Sequence, residues 1–582
     1  MKHDIKTVRH SLAHILAMAI LKRDPHAKLG TGPATDDGFF YDVLLSDGKT
    51  LSPNDFGGII EDMRAIVKAD LPFERKVVTP DEARGIFADN PFKLEIIGEA
   101  EMRGEEISVY TCGDFADLCA GPHVERAGDI DAQSFTMKGL AGAYWRGDES
   151  NPMLIRVSGY AFADKKALEA HFAFLEEAKK RDHRRLGKEL DLFAFSPLVG
   201  PGLPLFTPRG TAIKETLQRE VERICRRYGF EKVFTPHLAK IDLYETSGHK
   251  QKFGDELFHV ASHHKQDYVL KPVQCPHHTQ IYASRPRSYR DLPIRYMESE
   301  KQYRDEKPGE INGLQRVIAI TVEDGHTFCT PEQVKDEIRS LIEIIRDFYT
   351  ALGMWENKWV SLSVRDRKHP ENYIGEPDDW DLAERTLREI ADELGLDAKT
   401  CEGEAALYGP KIDFMFRDAT GREVQIPTVQ LDFATPKRFG LVYTASDGSE
   451  RHPIMIHRAI LGSYERFMML LIEHFAGAFP FWLAPVQVRI LPIGETHREY
   501  ARDVAARLKE SDIRIELDDS DESLGKKIRN VKTEKIPYFL VIGDAEVSNG
   551  TVTLESRDEG KLGELSVDNL LARFGKESTP RI

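Results

Sequence analysis

Residues 304–320, Arg-Asp-Glu-Lys-Pro-Gly-Glu-Ile-Asn-Gly-Leu-Gln-Arg-Val-Ile-Ala-Ile, predict two antiparallel strands joined by a turn-rich loop. A phosphate held between such strands needs arginine, because the guanidinium group is rigid, always charged and able to donate two parallel hydrogen bonds. Arg304 and Arg316 supply that group on the two sides of the loop. An arginine beside a turn is often only solvated, so the meaning of this stretch depends on the segments around it.

Three residues that are far apart in the chain form a pattern of metal ligands. Cys275 lies in Lys-Pro-Val-Gln-Cys-Pro, His326 ends Glu-Asp-Gly-His, and His457 opens His-Arg-Ala-Ile-Leu-Gly-Ser-Tyr-Glu-Arg. One thiolate and two imidazoles leave the fourth position of a tetrahedral zinc ion open, which is typical of a catalytic site. The pattern predicts a zinc centre with a free coordination position.

The composition sets limits on the size and location of the protein. A chain of 582 residues suggests roughly three to four domains. No apolar run is long enough to cross a bilayer, so we expect no membrane partner. Six scattered cysteines without a C-x-x-C pair indicate a reducing compartment, and we expect a cytoplasmic protein. The formal net charge of −16 argues against nucleic acid, although a local basic face can bind RNA in a large acidic chain.

Changes in pattern divide the chain into four regions. Residues 1–162 mix a helix with short strands, and residues 163–190 have the helical spacing of a connecting helix. Residues 191–483 form the largest block, and residues 484–582 alternate strand and helix signals, which predicts a small α/β domain with a partly parallel sheet. The basic run at 180–185 indicates either a solvated helix end or contact with an RNA backbone.

The first region carries a second group of possible metal ligands. His10 and His14 are four residues apart, which places them on one face of a predicted helix. Cys119 and His123 have the same spacing. H-x-x-x-H with C-x-x-x-H predicts a second zinc site, and the plain alternative is a set of polar residues on an exposed helix.

Taken in this order, the segments resemble the three signature motifs of class II aminoacyl-tRNA synthetases. Residues 233–236 predict a short apolar strand that ends at a proline. The segments that match the first, second and third motifs are 228–236, 304–320 and 462–466. Further matching segments are 408–411, 428–433 and 482–485. Cys275, His326 and His457 are similar to the zinc ligands of the threonyl-tRNA synthetase family within this class. The resemblance extends over nearly the whole chain.

The resemblance implies an α+β multidomain protein. The implied parts are an N-terminal α+β editing domain (1–162), a linker helix (163–190), a class II catalytic domain with an antiparallel sheet (191–483) and a C-terminal α/β anticodon-binding domain (484–582). The implied function is threonine–tRNA ligation, in which ATP activates threonine for transfer to tRNA(Thr). The family further implies one Zn²⁺ per subunit, ATP with Mg²⁺ as substrate, and a homodimer formed through the region of Pro236. A ubiquitin-like domain that often precedes the editing domain is expected to be missing.

The resemblance also assigns roles within the synthetic site. Arg304 would hold the α-phosphate, where charge develops during adenylate formation. Glu306 would meet the adenine, and Arg316 and Arg466 would hold the outer phosphates. The other residues implied for this site are Asp324, Tyr408 and Gln430 in the amino-acid pocket, Lys411 near the reacting carboxylate, and His249 near the terminal ribose of tRNA. A single histidine in a loop is a thin signal, so a purely structural His249 stays an alternative.

Zinc makes physical sense for the recognition of threonine. Valine has nearly the same shape, and a hydrophobic pocket separates the two by only roughly a hundredfold. A metal that takes both the amino group and the hydroxyl rejects valine, which cannot complete the coordination shell. Serine lacks only a methyl group, worth about 1–3 kcal/mol, so this design predicts a serine error and hydrolytic proofreading.

The first region supplies the residues that the family implies for proofreading of Ser-tRNA(Thr). They are His10, His14, Tyr41, Lys93, Asp117, Cys119 and His123. In this interpretation the polar cluster positions an attacking water. Whether a metal lies there stays open.

Several positions depart from the family pattern. Ile320 replaces an aromatic residue that would stack on adenine, and Val322 replaces a glutamine of the pocket. Asp521 and Glu555 stand where the last domain commonly has Asn and Arg for contact with the anticodon. The acidic residues near Asp521 should repel phosphate, which conflicts with tRNA binding at that surface.

Two other functions compete with an active ligase that edits. The first is a paralogue that activates an amino acid without charging tRNA, which the acidic last domain favours slightly. The second is a zinc hydrolase that acts through the first region alone. Retention of Arg304, Arg466 and the three zinc ligands argues against the hydrolase.

Overall fold

The computed structural model describes residues 2–261, 263, 266–307 and 309–579. It consists of two compact units, residues 1–176 and 177–582, called here the N-terminal unit and the C-terminal unit. Among the described residues, no helix combines the length and apolar character that a membrane span requires. The six cysteines are all free thiols.

The N-terminal unit contains two antiparallel sheets and the helices that cover them. Its helices are α1 (Ile5–Arg23), α2 (Phe56–Ala69), α3 (Pro80–Ile86), α4 (Pro91–Arg103) and the start of α5 (Lys165–Arg181), and its strands are β1 (Lys28–Leu29), β2 (Gly38–Leu44), β3 (Glu74–Val77), β4 (Ser108–Cys112), β5 (Phe115–Leu118), β6 (Phe135–Tyr144) and β7 (Met153–Ala161). The strand orders are β1-β2-β7-β6 and β3-β4-β5. Asp4 caps α1 by accepting from the Lys6 N–H, and Leu12 and Leu16 on α1 are fully buried in the core of the unit.

The larger part of the C-terminal unit is built around one eight-stranded sheet. Its helices are α6 (His183–Glu189), α7 (Pro208–Arg227), α8 (Ile241–Ser247), α9 (His249–Phe253), α10 (Cys275–Ala283), α11 (Val334–Ala351), α12 (Pro377–Glu393), α13 (Ala434–Arg438) and α14 (Tyr464–His474). Its strands are β8 (Phe193–Ala194), β9 (Leu205–Phe206), β10 (Glu231–Lys232), β11 (Leu238–Lys240), β12 (His259–Ala261), β13 (Asp267–Leu270), β14 (Ile294–Tyr303), β15 (Ala319–Cys329), β16 (Trp359–Val364), β17 (Lys399–Glu402), β18 (Lys411–Arg417), β19 (Glu423–Asp432), β20 (Tyr443–Thr444), β21 (Glu450–Arg451) and β22 (Ile454–Ser463).

The strand order of this sheet is β10-β14-β15-β22-β19-β18-β16-β17. Its six central strands are antiparallel to one another, and the edge strands β10 and β17 pair with them in parallel. Strand β22 is buried along residues 454–461, as expected for an apolar central strand covered on both faces. The ladder pairs His326 with His457, His457 with Gln430, and Gln430 with Lys411. Directly paired residues point to the same face of an antiparallel sheet, so these four side chains form one row across it.

The last part of the C-terminal unit is a five-stranded mixed sheet with helices. Its elements are β23 (Val488–Pro492), α15 (Arg498–Glu510), β24 (Ile515–Leu517), α16 (Leu524–Thr533), β25 (Tyr538–Ile542), α17 (Asp544–Asn549), β26 (Thr551–Ser556), β27 (Gly560–Ser566) and α18 (Val567–Glu577). Strands β24, β23 and β25 are parallel, and β26 and β27 add antiparallel edges. The predicted α/β fold with a partly parallel sheet is confirmed.

The predicted apolar strand at 233–236 is wrong, because the strand in this region, β10, ends at Lys232. The Val233 N–H still donates to the Met297 carbonyl, but the Thr235 N–H is taken by the Glu298 carboxylate, and Pro236 has no N–H to offer. Phe234, predicted as part of an apolar strand, is 73% exposed.

The stretch 304–320 is mainly the loop between two strands. Strand β14 ends at Tyr303 and β15 begins at Ala319, so the antiparallel pair is as predicted but flanks residues 304–318.

The single connecting helix predicted at 163–190 is two helices, α5 and α6, separated at Asp182. Asp182 caps α6 by accepting from the Arg184 N–H.

Candidate active site

A cavity of about 350 Å³ opens over the central strands of the eight-stranded sheet. Its lining includes Arg304, Glu306, Arg316, Arg466, Asp324, Tyr408, Gln430, Cys275 and His457. Ile320 and Val322 line it as well. Residues predicted for nucleotide binding and residues predicted for metal and amino-acid binding therefore share one cavity, although more than 190 positions separate the first from the last.

Cys275, His326 and His457 are all buried, and their ligand atoms lie within 4.8 Å of one another. Cys275 is the first residue of α10, and the two histidines are paired on β15 and β22. Burial raises the pKa of the Cys275 thiol well above its usual value. A thiolate at this position therefore requires a nearby cation, which fits the donor set of a zinc site.

Hydrogen bonds orient both imidazoles of this set. His457 Nε2 lies 2.8 Å from Asp432 Oδ2 and donates to it, which leaves the Nδ1 lone pair free. His278 Nε2 donates to Glu298 at 3.3 Å, so His278 Nδ1 accepts from His326 Nδ1 at 2.7 Å. His326 Nε2 then keeps its lone pair. Carboxylate-backed histidines of this kind are typical of metal ligands.

The nucleotide side of the cavity is dominated by arginine. Arg304 is partly buried, and its Nε is fully buried without a partner among the described residues. Arg316 Nε donates to Glu306 at 2.5 Å, and Arg466 Nε donates to the Gln315 carbonyl at 3.2 Å. Burial lowers the pKa of both Arg304 and Arg466 from the usual value. These guanidinium groups are placed to bind a polyanion that replaces the water lost on burial.

The amino-acid side of the cavity combines the partly buried carboxyl group of Asp324 with a tyrosine–glutamine pair. Burial raises the pKa of Asp324 to about 7. The Tyr408 hydroxyl donates to Gln430 Oε1 at 2.6 Å, and the Tyr408 ring stacks on His457 with ring centroids 4.4 Å apart. This contact links the amino-acid pocket directly to a metal-ligand candidate.

Two residues predicted for this site have partners beside the cavity. Lys411 is next to Gln430 in the row across the sheet, and its Nζ forms an ion pair with Asp413 at 2.6 Å. His249 is buried, with Nδ1 2.8 Å from Ser247 Oγ and Nε2 3.9 Å from Cys275 Sγ. Neither residue belongs to the cavity lining.

Sequence reasoning missed the residues that orient the ligands. Asp432 lies in a segment that matched the family pattern, and His278 is the second of two adjacent histidines after Cys275, but neither was assigned a role. Glu323 and Arg458 form a buried ion pair on the opposite face, and Glu323 also accepts from the Ile460 N–H at 2.9 Å. This ion pair lies at the register shift between β15 and β22, where Asp324 falls between the paired residues Glu323 and Gly325.

The N-terminal unit brings all seven predicted editing residues into one cluster. Cys119 Sγ lies 3.3 Å from both His10 Nε2 and His123 Nε2. Burial raises the pKa of the Cys119 thiol to about 11 and lowers that of His123 to about 2. The thiol is therefore protonated and the imidazole neutral at pH 7.

A buried charge pair lies beside these three side chains. Lys93 Nζ is 2.5 Å from Asp117 Oδ1 and donates to the Tyr41 hydroxyl at 3.1 Å, and that hydroxyl in turn donates to Asp117. His14 Nε2 is 3.5 Å from Asp117 Oδ2, and its buried Nδ1 has no partner among the described residues. The His10, His14, Cys119 and His123 donor atoms lie within 4.8 Å of one another. The cluster therefore offers several donors and acceptors to a small polar molecule.

Comparisons with known proteins cover both units. Three family models match: the tRNA synthetase class II core domain (G, H, P, S and T) over residues 258–475, the anticodon binding domain over 487–577, and the threonyl and alanyl tRNA synthetase second additional domain over 107–158. The chain is 47% identical to the threonine–tRNA ligase of Rubrobacter xylanophilus over 557 residues, 95% of this chain and 86% of that protein. It is 45% identical to a threonine–tRNA ligase of Thermus thermophilus over 571 residues, again 95% and 86%.

A solved structure agrees with these matches. The RNA binding domain of threonyl-tRNA synthetase from Cryptosporidium parvum superposes with a TM-score of 0.65 and 36% identity, over 69% of this chain and 99% of that one. The similar ligases extend over nearly the whole chain, and this coverage does not favour a paralogue or a hydrolase.

Proposed function

The chain belongs to the threonine–tRNA ligase family of class II aminoacyl-tRNA synthetases, and we propose that it activates threonine with ATP and transfers it to tRNA(Thr) in the cavity of its C-terminal unit. The observation that carries this proposal is the row of His326, His457 and Gln430 across the sheet, with Cys275 beside it and arginines in the same cavity. We further propose the four-part division at 1–162, 163–190, 191–483 and 484–582.

In the activation step, the carboxylate of threonine attacks the α-phosphorus of ATP and pyrophosphate leaves. We assign Arg304 to the α-phosphate, because its buried Nε has no partner among the described residues, whereas Arg316 and Arg466 each donate through Nε to a protein oxygen. Arg316 and Arg466 take the outer phosphates, with Mg²⁺ as the accompanying ion of ATP. Preorganised cations of this kind stabilise the charge that develops at phosphorus without reorganising water. Glu306, held by Arg316, is the proposed partner of the adenine.

Cys275, His326 and His457 would hold a zinc ion, which would supply a Lewis acid for recognition of the amino and hydroxyl groups of threonine. Asp324, Tyr408 and Gln430 position the amino acid beside the ligand set. Lys411 is the proposed partner of the reacting carboxylate and would leave Asp413 to reach it. His249, next to Cys275, is the proposed contact of the tRNA terminal ribose.

The N-terminal unit is the proposed site of Ser-tRNA(Thr) hydrolysis. Its match to the second additional domain of threonyl and alanyl tRNA synthetases supports this assignment. Cys119 and His10 bind and orient the attacking water, and His123, which burial keeps neutral, can accept a hydrogen bond from it. The buried charges of Lys93 and Asp117 neutralise each other through their ion pair.

The remaining proposals concern partners and location. The C-terminal α/β part is the proposed binding site for the anticodon of tRNA(Thr), and its match to the anticodon binding domain supports this. The exposed Phe234 belongs to the segment 228–236, and we propose that it is buried against a second copy of the chain in a homodimer. A cytoplasmic location fits the six free thiols.

The first test is amino-acid-dependent exchange of pyrophosphate into ATP with threonine, serine and valine, with zinc content measured on the same sample. We expect strong exchange with threonine, weaker exchange with serine, none with valine, and about one zinc per chain. Zinc-loaded protein without threonine-dependent exchange would refute the proposed function, and Ile320 and Val322 would then mark a redirected site.

A further inference from the structure

The basic run at 180–185 contains a buried histidine that the proposed function does not use. His183 is the first residue of α6 and is only 5% exposed. Its flanking arginines are occupied within the C-terminal unit: Arg181 donates to the carbonyls of Glu473 and His474, and Arg184 pairs with Asp182. Arg184 and Arg185 are exposed, as expected for a solvated helix end, and His183 is the buried member of the run.

Both ring nitrogens of His183 are hydrogen bonded. Nδ1 lies 2.7 Å from Glu473 Oε1, and because a carboxylate only accepts, Nδ1 carries the proton. Nε2 is therefore an acceptor, and the Leu314 N–H donates to it at 3.2 Å. Glu473 is itself fixed, since it also accepts from the N–H groups of His183 and Ala419. The carboxylate thus sets the tautomer that the Leu314 amide requires.

Leu314 lies in the loop that carries the proposed ATP contacts. The next residue, Gln315, accepts from Arg466 through its carbonyl, and Arg316 pairs with Glu306. Leu314 is fully buried, so without His183 its N–H would have no water to replace the lost acceptor. The imidazole of His183 therefore holds the loop that carries or contacts three residues proposed to bind ATP, Glu306, Arg316 and Arg466.

The loop backbone is shaped to that imidazole. Gly313 has φ of +51°, and a Cβ built there would lie 2.3 Å from His183 Nε2. Only glycine combines this backbone conformation with so close an approach. The hydrogen bond between Leu314 and His183 thus requires both the glycine at position 313 of the loop and the histidine of α6.

We propose that His183, oriented by Glu473, is a positioning residue that holds the ATP loop through the Leu314 amide. This inference rests on the proposed function for the identity of the nucleotide, but the hold on the loop is independent of it. His183 touches no substrate and acts through the loop backbone. The residues proposed for threonine lie on β15, β19 and β22 and beside β18, so they should be affected less.

The test compares His183→Ala, His183→Gln and Leu186→Ala in the full chain. Leu186 is a buried residue one turn further along α6, and its truncation weakens the packing of the same helix without removing an acceptor. Glutamine can return an acceptor oxygen near the position of Nε2. The readouts are the KM for ATP and for threonine in pyrophosphate exchange, the Tm, and deuterium uptake of peptides covering residues 309–318.

We expect His183→Ala to raise the KM for ATP about tenfold and to increase deuterium uptake at 309–318, with the KM for threonine nearly unchanged. His183→Gln should recover most of both effects, and Leu186→Ala should lower the Tm without raising the KM for ATP. Unchanged uptake in His183→Ala would overturn the inference, and so would parallel changes of both KM values in His183→Ala and Leu186→Ala. If the wild-type chain shows no threonine-dependent exchange, the proposed function fails, while deuterium uptake still decides whether His183 holds the loop.

Discussion

Two clusters in this molecule use the same kinds of donor in different electrostatic settings. The C-terminal unit has Cys275, His326 and His457, and the N-terminal unit has a group of three histidines with Cys119. In both, the donor atoms lie within 4.8 Å of one another. Donor types and spacing alone therefore do not distinguish them.

The partners behind the imidazoles do distinguish them. In the C-terminal unit, carboxylates lie behind the ligands: Asp432 behind His457, and Glu298 behind His326 through His278. Lys271 lies 3.7 Å from Glu298, so the charge that stabilises a dication or the Cys275 thiolate comes chiefly from Asp432.

In the N-terminal cluster the groups that orient His10 and His123 are neutral. His10 Nδ1 donates to the Pro122 carbonyl and His123 Nδ1 is 3.1 Å from Ser11 Oγ. The Lys93 cation neutralises Asp117. A dication gains little here, so we expect the C-terminal set to hold zinc and the N-terminal cluster to hold water.

The largest effect should come from Cys275→Ser. Serine is a poor zinc ligand, so zinc content should fall from about one per chain to near zero, and threonine activation should fall roughly a thousandfold. Zinc content and pyrophosphate exchange measured on one sample check this. Full activity of the metal-free variant would remove zinc from the mechanism.

The double variant His10→Ala with Cys119→Ala should leave zinc content and threonine activation unchanged. Deacylation of Ser-tRNA(Thr) should slow roughly a hundredfold, because the attacking water loses two of its partners. Accumulation of Ser-tRNA(Thr) is the measurement, with Cys112→Ala as a control at another thiol of the unit. Loss of a second zinc from the double variant would break the comparison, and unchanged deacylation would withdraw the editing assignment.

Asp432→Asn should weaken zinc binding between about 10- and 100-fold while retaining the site, because the asparagine keeps the size of the residue but not its charge. Competition with a chelator measures the affinity. Asp413→Asn, which alters a carboxylate beside Lys411 on the neighbouring strand, serves as the control and should leave zinc affinity unchanged.

The smallest effect concerns thiol reactivity. The pKa of Cys119 is raised to about 11, so below that pH its thiolate fraction and its alkylation rate should rise about tenfold per pH unit. Mass spectrometry of iodoacetamide-treated protein between pH 7 and 9 measures the rate. A fast, pH-independent reaction at Cys119 would mean that a bound cation keeps it deprotonated, which would make the two clusters alike.

Much of the synthetic site was predictable because its residues belong to local patterns with fixed spacing. The two strands around 304–320, the ligand candidates Cys275, His326 and His457, and the mixed sheet after residue 486 follow from periodicity and motif. Asp432 and His278 were within reach of the same signals, but no local pattern states which ring a distant carboxylate will orient.

Most of the elements, their order, the donor types and the family follow from the residues alone. Packing was needed to learn that 233–236 is not a strand, that the groups orienting two similar clusters differ in charge, and that His183 contacts a loop 131 positions away. The physical reason is that periodicity records which face of an element is buried. The partner of a buried lone pair or N–H is set by packing between distant segments, where each such group must be satisfied.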